Sequence, residues 1–494
     1  MSQATPPRPV QPSPGDSERD VAAPSADIAS PRHGLGGTAL KGGVFLAGRH
    51  AVSLAIHLLG VTLLTRAIGP ESYGKYVGAL GVQTYLYAVS QLGLVVFLVR
   101  HERDVGDVEF DQAFTLLLGS GLIIAGIVFT GLPTVERWIG IETFAPVGQA
   151  LVLVLPMQLL ALVPMGRLER ALNYRAIAPV ELGGYVIFYA VALPLAHAGR
   201  REWAPVAGYW TQQVSVAIAM YAVARYRPRI RWEPRLIREM VRYGIEYSGA
   251  YWIWQLRDIV NPVIVGRFAG PSAVAFVALT VRLVDALSFL KGVGWRVSLA
   301  LLGRLQNDRQ RMVRAASDGM QLQVLSLGGL LAGFGLISHW AIPKLFGTGW
   351  DAVISLYPFV ATGYLSNGLG QLETAMLNVV NLSRQVAWFH LLHVTLFVGT
   401  ALVLVPRIGA MGYGWGEIAG LAAYFFLHFR TSRLVGRPDW VIAGSWWVAY
   451  VSLLFWQQLG WFCLIGPVLA ISWPGTLREL RKYAATVARL RYVD

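Results

Sequence analysis

The chain has 494 residues, 55% of them hydrophobic and 14% charged, with a mean hydropathy of +0.49 and a formal net charge of +14. A soluble protein of this length needs far more charge on its surface, so the soluble globular class is excluded. One cysteine, Cys463 in an apolar run, excludes a disulfide framework and a cysteine-based metal site; no cofactor and no metal are expected.

Taken in chain order, residues 1–40 are rich in Pro, Ser and Ala and read as a disordered tail. No apolar h-region precedes Lys41, so a signal peptide is not expected in this segment. Apolar stretches then recur at 43–65, 73–99, 111–132, 145–165, 177–197, 204–224, 244–266, 272–302, 315–340, 351–380, 386–405, 411–429, 440–456 and 458–474, each near the length that crosses a bilayer. The pattern predicts an all-α polytopic membrane protein of about 14 transmembrane helices.

Every second loop is basic, most strongly RYRPRIRWEPRLIREMVR at 225–242. About 25 Lys and Arg fall on that side and about seven on the other, which by the positive-inside rule places both termini in the cytoplasm. The positive charge thus follows from topology and contact with anionic lipid, and no nucleic-acid partner is implied.

Two elements repeat. Arg66-x-x-Gly69-Pro70 recurs as Arg267-x-x-Gly270-Pro271, an offset of 201. LERALNYR at 168–175 parallels LNVVNLSR at 377–384, an offset of 209, and EWAPVAGYW at 202–210 weakly parallels GAMGYGWGEIAG at 409–420. In each Gly-Pro pair the proline stops a helix and the glycine frees the backbone, so a tight non-cytoplasmic turn is expected. The spacing predicts two six-helix lobes, 41–225 and 244–432, as parallel repeats, with a basic cytoplasmic linker at 226–243. Two further helices follow within 433–476, and a basic cytoplasmic tail at 477–494 ends the chain.

The hairpin RAIGPESYGKY with the following LGLVVFLVR resembles the first hairpin of Wzx-type polysaccharide flippases, in the multidrug/oligosaccharidyl-lipid/polysaccharide exporter superfamily. GRLERALNYRAIAPVELGGY and PRIGAMGYGWGEIAG are similar to later regions of that family, so the resemblance covers about residues 38–435. It implies a bacterial inner-membrane transporter that moves undecaprenyl-pyrophosphate-linked oligosaccharides from the cytoplasmic to the periplasmic leaflet. Two lobes would rock about a cavity, and the protein would be a monomer beside polysaccharide polymerase and chain-length proteins. The sequence departs from the pattern in its second hairpin, where Val274-Ala275 stand in place of Tyr73-Gly74.

Such a cargo calls for cations and hydroxyls at membrane depth, where charged groups face an interior. Arg49, Ser53, His57 and Gly60 share one helical sector; Tyr76, Gln83, Tyr87 and Ser90 share another. Arg257 and Asp258 stand near mid-span, and Arg282, Asp285, Phe289, Gly292 and Arg296 follow at spacings of 3 and 4. The candidate cavity residues are therefore Arg49, His57, Gln83, Tyr87, Arg257, Asp258, Arg282 and Asp285, with guanidinium groups suited to phosphate.

Plainer roles stand beside these. Arg282 and Asp285 are placed to pair with each other, and the histidines to pack helices. Tyr73, Tyr76, Tyr85 and Tyr87 fit an interfacial aromatic belt, Arg66 and Arg267 fit turn or headgroup anchors, and Lys291 is expected to face away from the cluster. Glu181, Glu246, Glu373 and Glu417 are open between ion coupling and ordinary polarity. No catalytic motif and no large outward loop is present, so an enzyme such as a glycosyl polymerase or ligase is not expected. A multidrug exporter of the same superfamily is the other transport reading.

Overall fold

The structure, a computed structural model, describes the backbone of residues 35–100, 106–171, 173–473 and 475–476. The two predicted tails lie almost wholly outside the described residues, and so do the side chains of Arg49 and Arg296. By contacts the chain divides into residues 1–52, of which 35–52 are helical, and residues 53–494. The second unit holds everything that follows.

Among the described residues there are helices and no strands: this is a polytopic all-α membrane protein. Its first candidate span, α1, is Val52–Ser90, followed by α2 Leu94–Arg100, α3 Asp107–Ile139, α4 Phe144–Val152, α5 Leu155–Arg170, α6 Tyr174–His197 and α7 Trp203–Ala224. After an extended strap come α8 Pro234–Ile259, a π-helical turn Val260–Val265, α9 Gly266–Leu287, α10 Phe289–Arg304, α11 Arg309–Phe346, α12 Ala352–Val379 and α13 Ser383–Ile408. The last elements are α14 Met411–Gly420, α15 Ala422–Leu434, α16 Val441–Leu454, α17 Trp456–Leu459 and α18 Ile465–Ser472.

Among the described residues seven helices are long and apolar enough to cross a membrane, or eight when the pair at the C-terminus is taken as one broken span. That number is lower than fourteen partly because two predicted spans can share one helix. Helix α1, 39 residues long, contains the Gly69-Pro70 break, and Tyr251–Leu287 contains the break at Gly270. Other differences are local. The stretch expected as one span at 272–302 is two helices, α9 and α10, separated at Ser288. The span expected at 458–474 is bent by 73° against α16.

The region expected as a linker is half helix, because α8 starts at Pro234, where a proline ring is pre-set for a first helical turn. The strap before it is pinned to the start of α3. The buried Asp111 accepts from the Tyr226 hydroxyl at 2.8 Å and the Arg229 amide at 3.1 Å, with Arg231 at 3.7 Å. The Glu233 amide donates to Gln112 at 2.7 Å. Burial and the neighbouring carboxylate push the Tyr226 hydroxyl well above its ordinary pKa, so it remains a donor at physiological pH. Asp111→Ala should cost about 1–3 kcal/mol locally, the penalty for orphaned buried donors. It should appear as faster proteolysis within 226–233 in detergent-solubilised protein.

The recurrence in the sequence is repeated in the backbone. Gly69 has φ 73°, ψ 172° and Gly270 has φ 82°, ψ 178°, a left-handed region that a residue with a Cβ enters only under strain. Leu168 and Leu377 each accept from the amide five residues on, Asn173 at 2.9 Å and Leu382 at 2.8 Å. Trp203 bonds Arg200 and Gly412 bonds Gly409, both at 2.9 Å, again 209 residues apart.

Candidate functional site

The site is built where the two broken helices meet. Gly74, four residues past the first break, lies so close to Pro271 that a Cβ there would overlap the proline carbonyl. Gly78 faces Val274, and Gly81 faces Pro262 and the Asp258 carbonyl. Glycines at 74, 78 and 81 lie three and four apart, so one stripe of α1 lets its backbone approach α8, the π turn and α9. The Trp252 indole caps this seam by donating to the Ala88 carbonyl at 3.1 Å.

Tyr73 follows from that approach. It is 0% exposed and packs edge-on against Trp350, ring centres 5.9 Å apart. Its hydroxyl accepts from Arg282 Nη1 at 2.6 Å, and the guanidinium lies 5.6 Å from its ring centre. Tyr73 and the 2%-exposed Tyr76 are therefore not belt aromatics. Nor does Arg282 pair with Asp285: among the described residues no carboxylate reaches it, and its electrostatic neighbours are Tyr73, Tyr76, Tyr189 and His57. This is a cation set among hydroxyl groups.

A second cluster lies on the C-terminal side of the seam. Arg257 on α8 donates to Glu417 on α14 at 2.5 Å, both largely buried. The guanidinium also stacks over Trp254 at 4.8 Å and Phe397 at 5.5 Å. Gly363 on α12 makes room for the carboxylate, since a Cβ there would stand 2.7 Å from Glu417 Oε2. Lys291, expected to face away, instead lies over the Tyr364 ring at 4.4 Å and is coupled electrostatically to Asp285, Arg257 and Glu417. Asp258 and Asp285 remain solvent-exposed. Here three carboxylates face two cations, so this side is not the cation-lined wall the sequence suggests.

The other candidates are placed differently. Gln83, 1% exposed, is tied to Gln158 and accepts from Tyr209 at 3.2 Å, while Gln158 donates to Tyr209 at 2.7 Å. Its polar group is satisfied inside the N-terminal half, without an open face for a ligand. His57 packs edge-on to Tyr185 at 4.2 Å, and the Tyr189 hydroxyl donates to its carbonyl at 3.3 Å. Tyr87 is partly buried against the apolar cluster that includes Leu94, Phe97 and Leu98. Glu373 is buried against His428 at 2.7 Å and Trp440 at 3.1 Å.

The turn arginines reach across the molecule. Arg66 Nη2 donates to the Lys344 carbonyl in the last turn of α11 at 2.5 Å. Arg267 lies 6.0 Å from the Trp138 ring in the last turn of α3, with Nη1 near Gly140. Each therefore reaches the last turn of a long helix in the opposite half, where a cation also meets the negative end of a helix dipole.

Residues 63–355, more than half the chain, match the family described as polysaccharide biosynthesis protein. The chain belongs to that family. The succinoglycan biosynthesis transport protein ExoT of Rhizobium meliloti (strain 1021) is 23% identical over 323 residues. That match spans 64% of this chain and 64% of ExoT, just under two thirds of the relative's length. Among solved structures, the lipid II flippase MurJ in an inward closed conformation superposes with a TM-score of 0.70 at 12% identity, covering 90% of this chain and 100% of MurJ. An inward-facing multidrug-resistance transporter of the MATE family gives 0.61 at 14% identity over 77% of this chain and 95% of its own. The outward-facing form of such a transporter gives 0.51, also at 14% identity, over 79% and 95%. The fold is thus that of the exporter superfamily, and the resemblance drawn from the sequence to its polysaccharide branch is borne out.

Proposed function

We propose that the protein is a flippase carrying undecaprenyl-pyrophosphate-linked oligosaccharides from the cytoplasmic to the periplasmic leaflet of the bacterial inner membrane, not an enzyme. The observation that carries this is Arg282, a cation at membrane depth with tyrosine hydroxyls around it and, among the described residues, no carboxylate within reach. An uncompensated charge in such a place is costly, and an anionic ligand supplies the missing partner. A pyrophosphate accepts the paired donors of a guanidinium and the hydroxyls beside it. Lys291 and Arg257 would meet it on the other side of the seam, Arg257 exchanging Glu417 for phosphate.

Two six-helix lobes, 41–225 and 244–432, would rock about this seam. The recurring hydrogen bonds and Gly-Pro breaks support the division. Higher agreement with the inward-facing than the outward-facing transporter supports reading the joined Gly-Pro ends as the closed, non-cytoplasmic face. An inside-negative potential favours outward movement of an anion by roughly 2.3 kcal/mol per charge per 100 mV, which gives direction without a coupled ion.

The exposed Asp258 and Asp285 favour a second reading, an exporter of organic cations. Binding separates the two. Undecaprenyl pyrophosphate should raise the melting temperature of purified protein, and Arg282→Ala should weaken binding roughly 10–150-fold, the value of about 1.5–3 kcal/mol for hydrogen bonds to a charged group. Arg282→Lys, which keeps the charge and loses the fork, should fall between. The same variants should lower surface polymer in a strain lacking its own polysaccharide flippase. Binding of lipophilic cations abolished by Asp258→Asn and Asp285→Asn, with none of the pyrophosphate lipid, would replace this reading with the exporter.

A further inference from the structure

The chain carries a second cationic site, away from the seam. Arg384, Gln385, Trp388 and Leu392 on α13, with Phe426 and Arg430 on α15, line a groove of about 560 Å³. Arg430 Nε donates to Gln385 Oε1 at 2.9 Å, which fixes the direction of that guanidinium and leaves its two terminal nitrogens for another acceptor. Arg384 is exposed and makes no hydrogen bond or ion pair among the described residues. Trp388, also half exposed, stands one helical turn below it, followed by Leu392 a further turn on. The groove is thus cationic at the helix ends and apolar along its length.

The duplication supplies an internal control. The residues 209 positions earlier are Arg175, Ala176, Pro179, Gly183, Ala217 and Tyr221. Only the first arginine is kept. The glutamine that orients a guanidinium, both large aromatic walls and the second arginine exist in one half alone. A ligand bound on one half alone would account for that difference, where shared ancestry and a shared need for basic loops would not.

We propose that this groove binds one anionic phospholipid, its phosphate between Arg384 and Arg430 and an acyl chain along Trp388, Leu392 and Phe426. The charge matches: two guanidinium groups at the membrane surface suit a phosphodiester, and the apolar floor suits a chain attached to it. The site differs from the seam around Arg282 in position and in ligand, and it does not rest on the flippase reading.

The full-length protein should be placed in nanodiscs of phosphatidylcholine with graded phosphatidylglycerol, then released and examined by native mass spectrometry. One phosphatidylglycerol should persist on the wild-type chain. Arg384→Gln with Arg430→Gln should reduce its retention at least tenfold, while Arg175→Gln, the matching arginine of the other half, should leave it unchanged. Trp388→Ala should weaken retention of the lipid but not competition by soluble glycerol phosphate, which separates chain from headgroup. Equal retention in the double variant, or equal loss in Arg175→Gln, would overturn the site. Occupancy displaced fully by inorganic phosphate would show an anion site without a lipid and overturn it as well.

Discussion

Glu417→Ala is expected to be the most damaging single substitution in the C-terminal cluster. It leaves Arg257 largely buried, fixed over Trp254 and Phe397 and without its carboxylate. Removing one partner of a buried ion pair typically costs about 3–5 kcal/mol, because the remaining charge has lost both water and its counter-ion. The variant should reach the membrane at reduced level and melt earlier in detergent. Arg257→Ala should do similar harm, since it strands the carboxylate packed against Gly363. The informative experiment is the double variant, Arg257→Met with Glu417→Leu, which replaces the pair by apolar groups of similar volume. If the two act as a unit, folded yield recovers well beyond the sum of the single losses, while transport does not return if Arg257 also meets the cargo. Strict additivity of the losses would mean that the pair is not the unit the geometry implies.

How far these contacts could be foreseen depends on sequence separation. The Gly-Pro breaks were legible because φ near +75° and a missing amide hydrogen are properties of single residues. The recurrences were legible because short motifs return in the same order, at offsets of 201 and 209 residues. Helical spacing placed Arg257, Asp258, Arg282 and Asp285 near one another, but spacing says nothing of partners on other helices. Arg257 meets a residue 160 positions away and Arg282 one 209 away. Lys291 was misplaced for a different reason. A wheel drawn through 272–302 assumes one continuous helix, whereas the interruption at Ser288 resets the phase between α9 and α10. Tyr73 was missed because a tyrosine three residues past a turn has the same local signature in a membrane-surface belt as in a plug. Only the backbone approach of Gly74 to Pro271 distinguishes the two.

That approach leads to the other large effect, on the proposed equilibrium between closed and open forms. Arg66 and Arg267 hold the joined ends by contacts each worth about 0.5–1.5 kcal/mol, a hydrogen bond to a helix-end carbonyl and a cation–π contact. Losing both should shift the equilibrium by about 1–3 kcal/mol, or roughly 5–150-fold in population. Gly74→Ala should shift it further, since its Cβ overlaps backbone that has no rotamer to escape into. The only cysteine is Cys463, so a background with Cys463→Ala and Val274→Cys reports on one position of the seam. Val274 is 0% exposed and faces Gly78 across it. A membrane-impermeant maleimide added from the non-cytoplasmic side should label this cysteine slowly in the parent. Labelling should be about tenfold faster with Arg66→Ala and Arg267→Ala together, and faster still with Gly74→Ala. Each single arginine variant should give an intermediate rate, because the two contacts sit in opposite halves and neither shares a residue with the other. Unchanged labelling in the double arginine variant would leave the arginines as surface anchors after all. Unchanged labelling in Gly74→Ala, at normal membrane levels, would mean that this seam does not part when the protein opens.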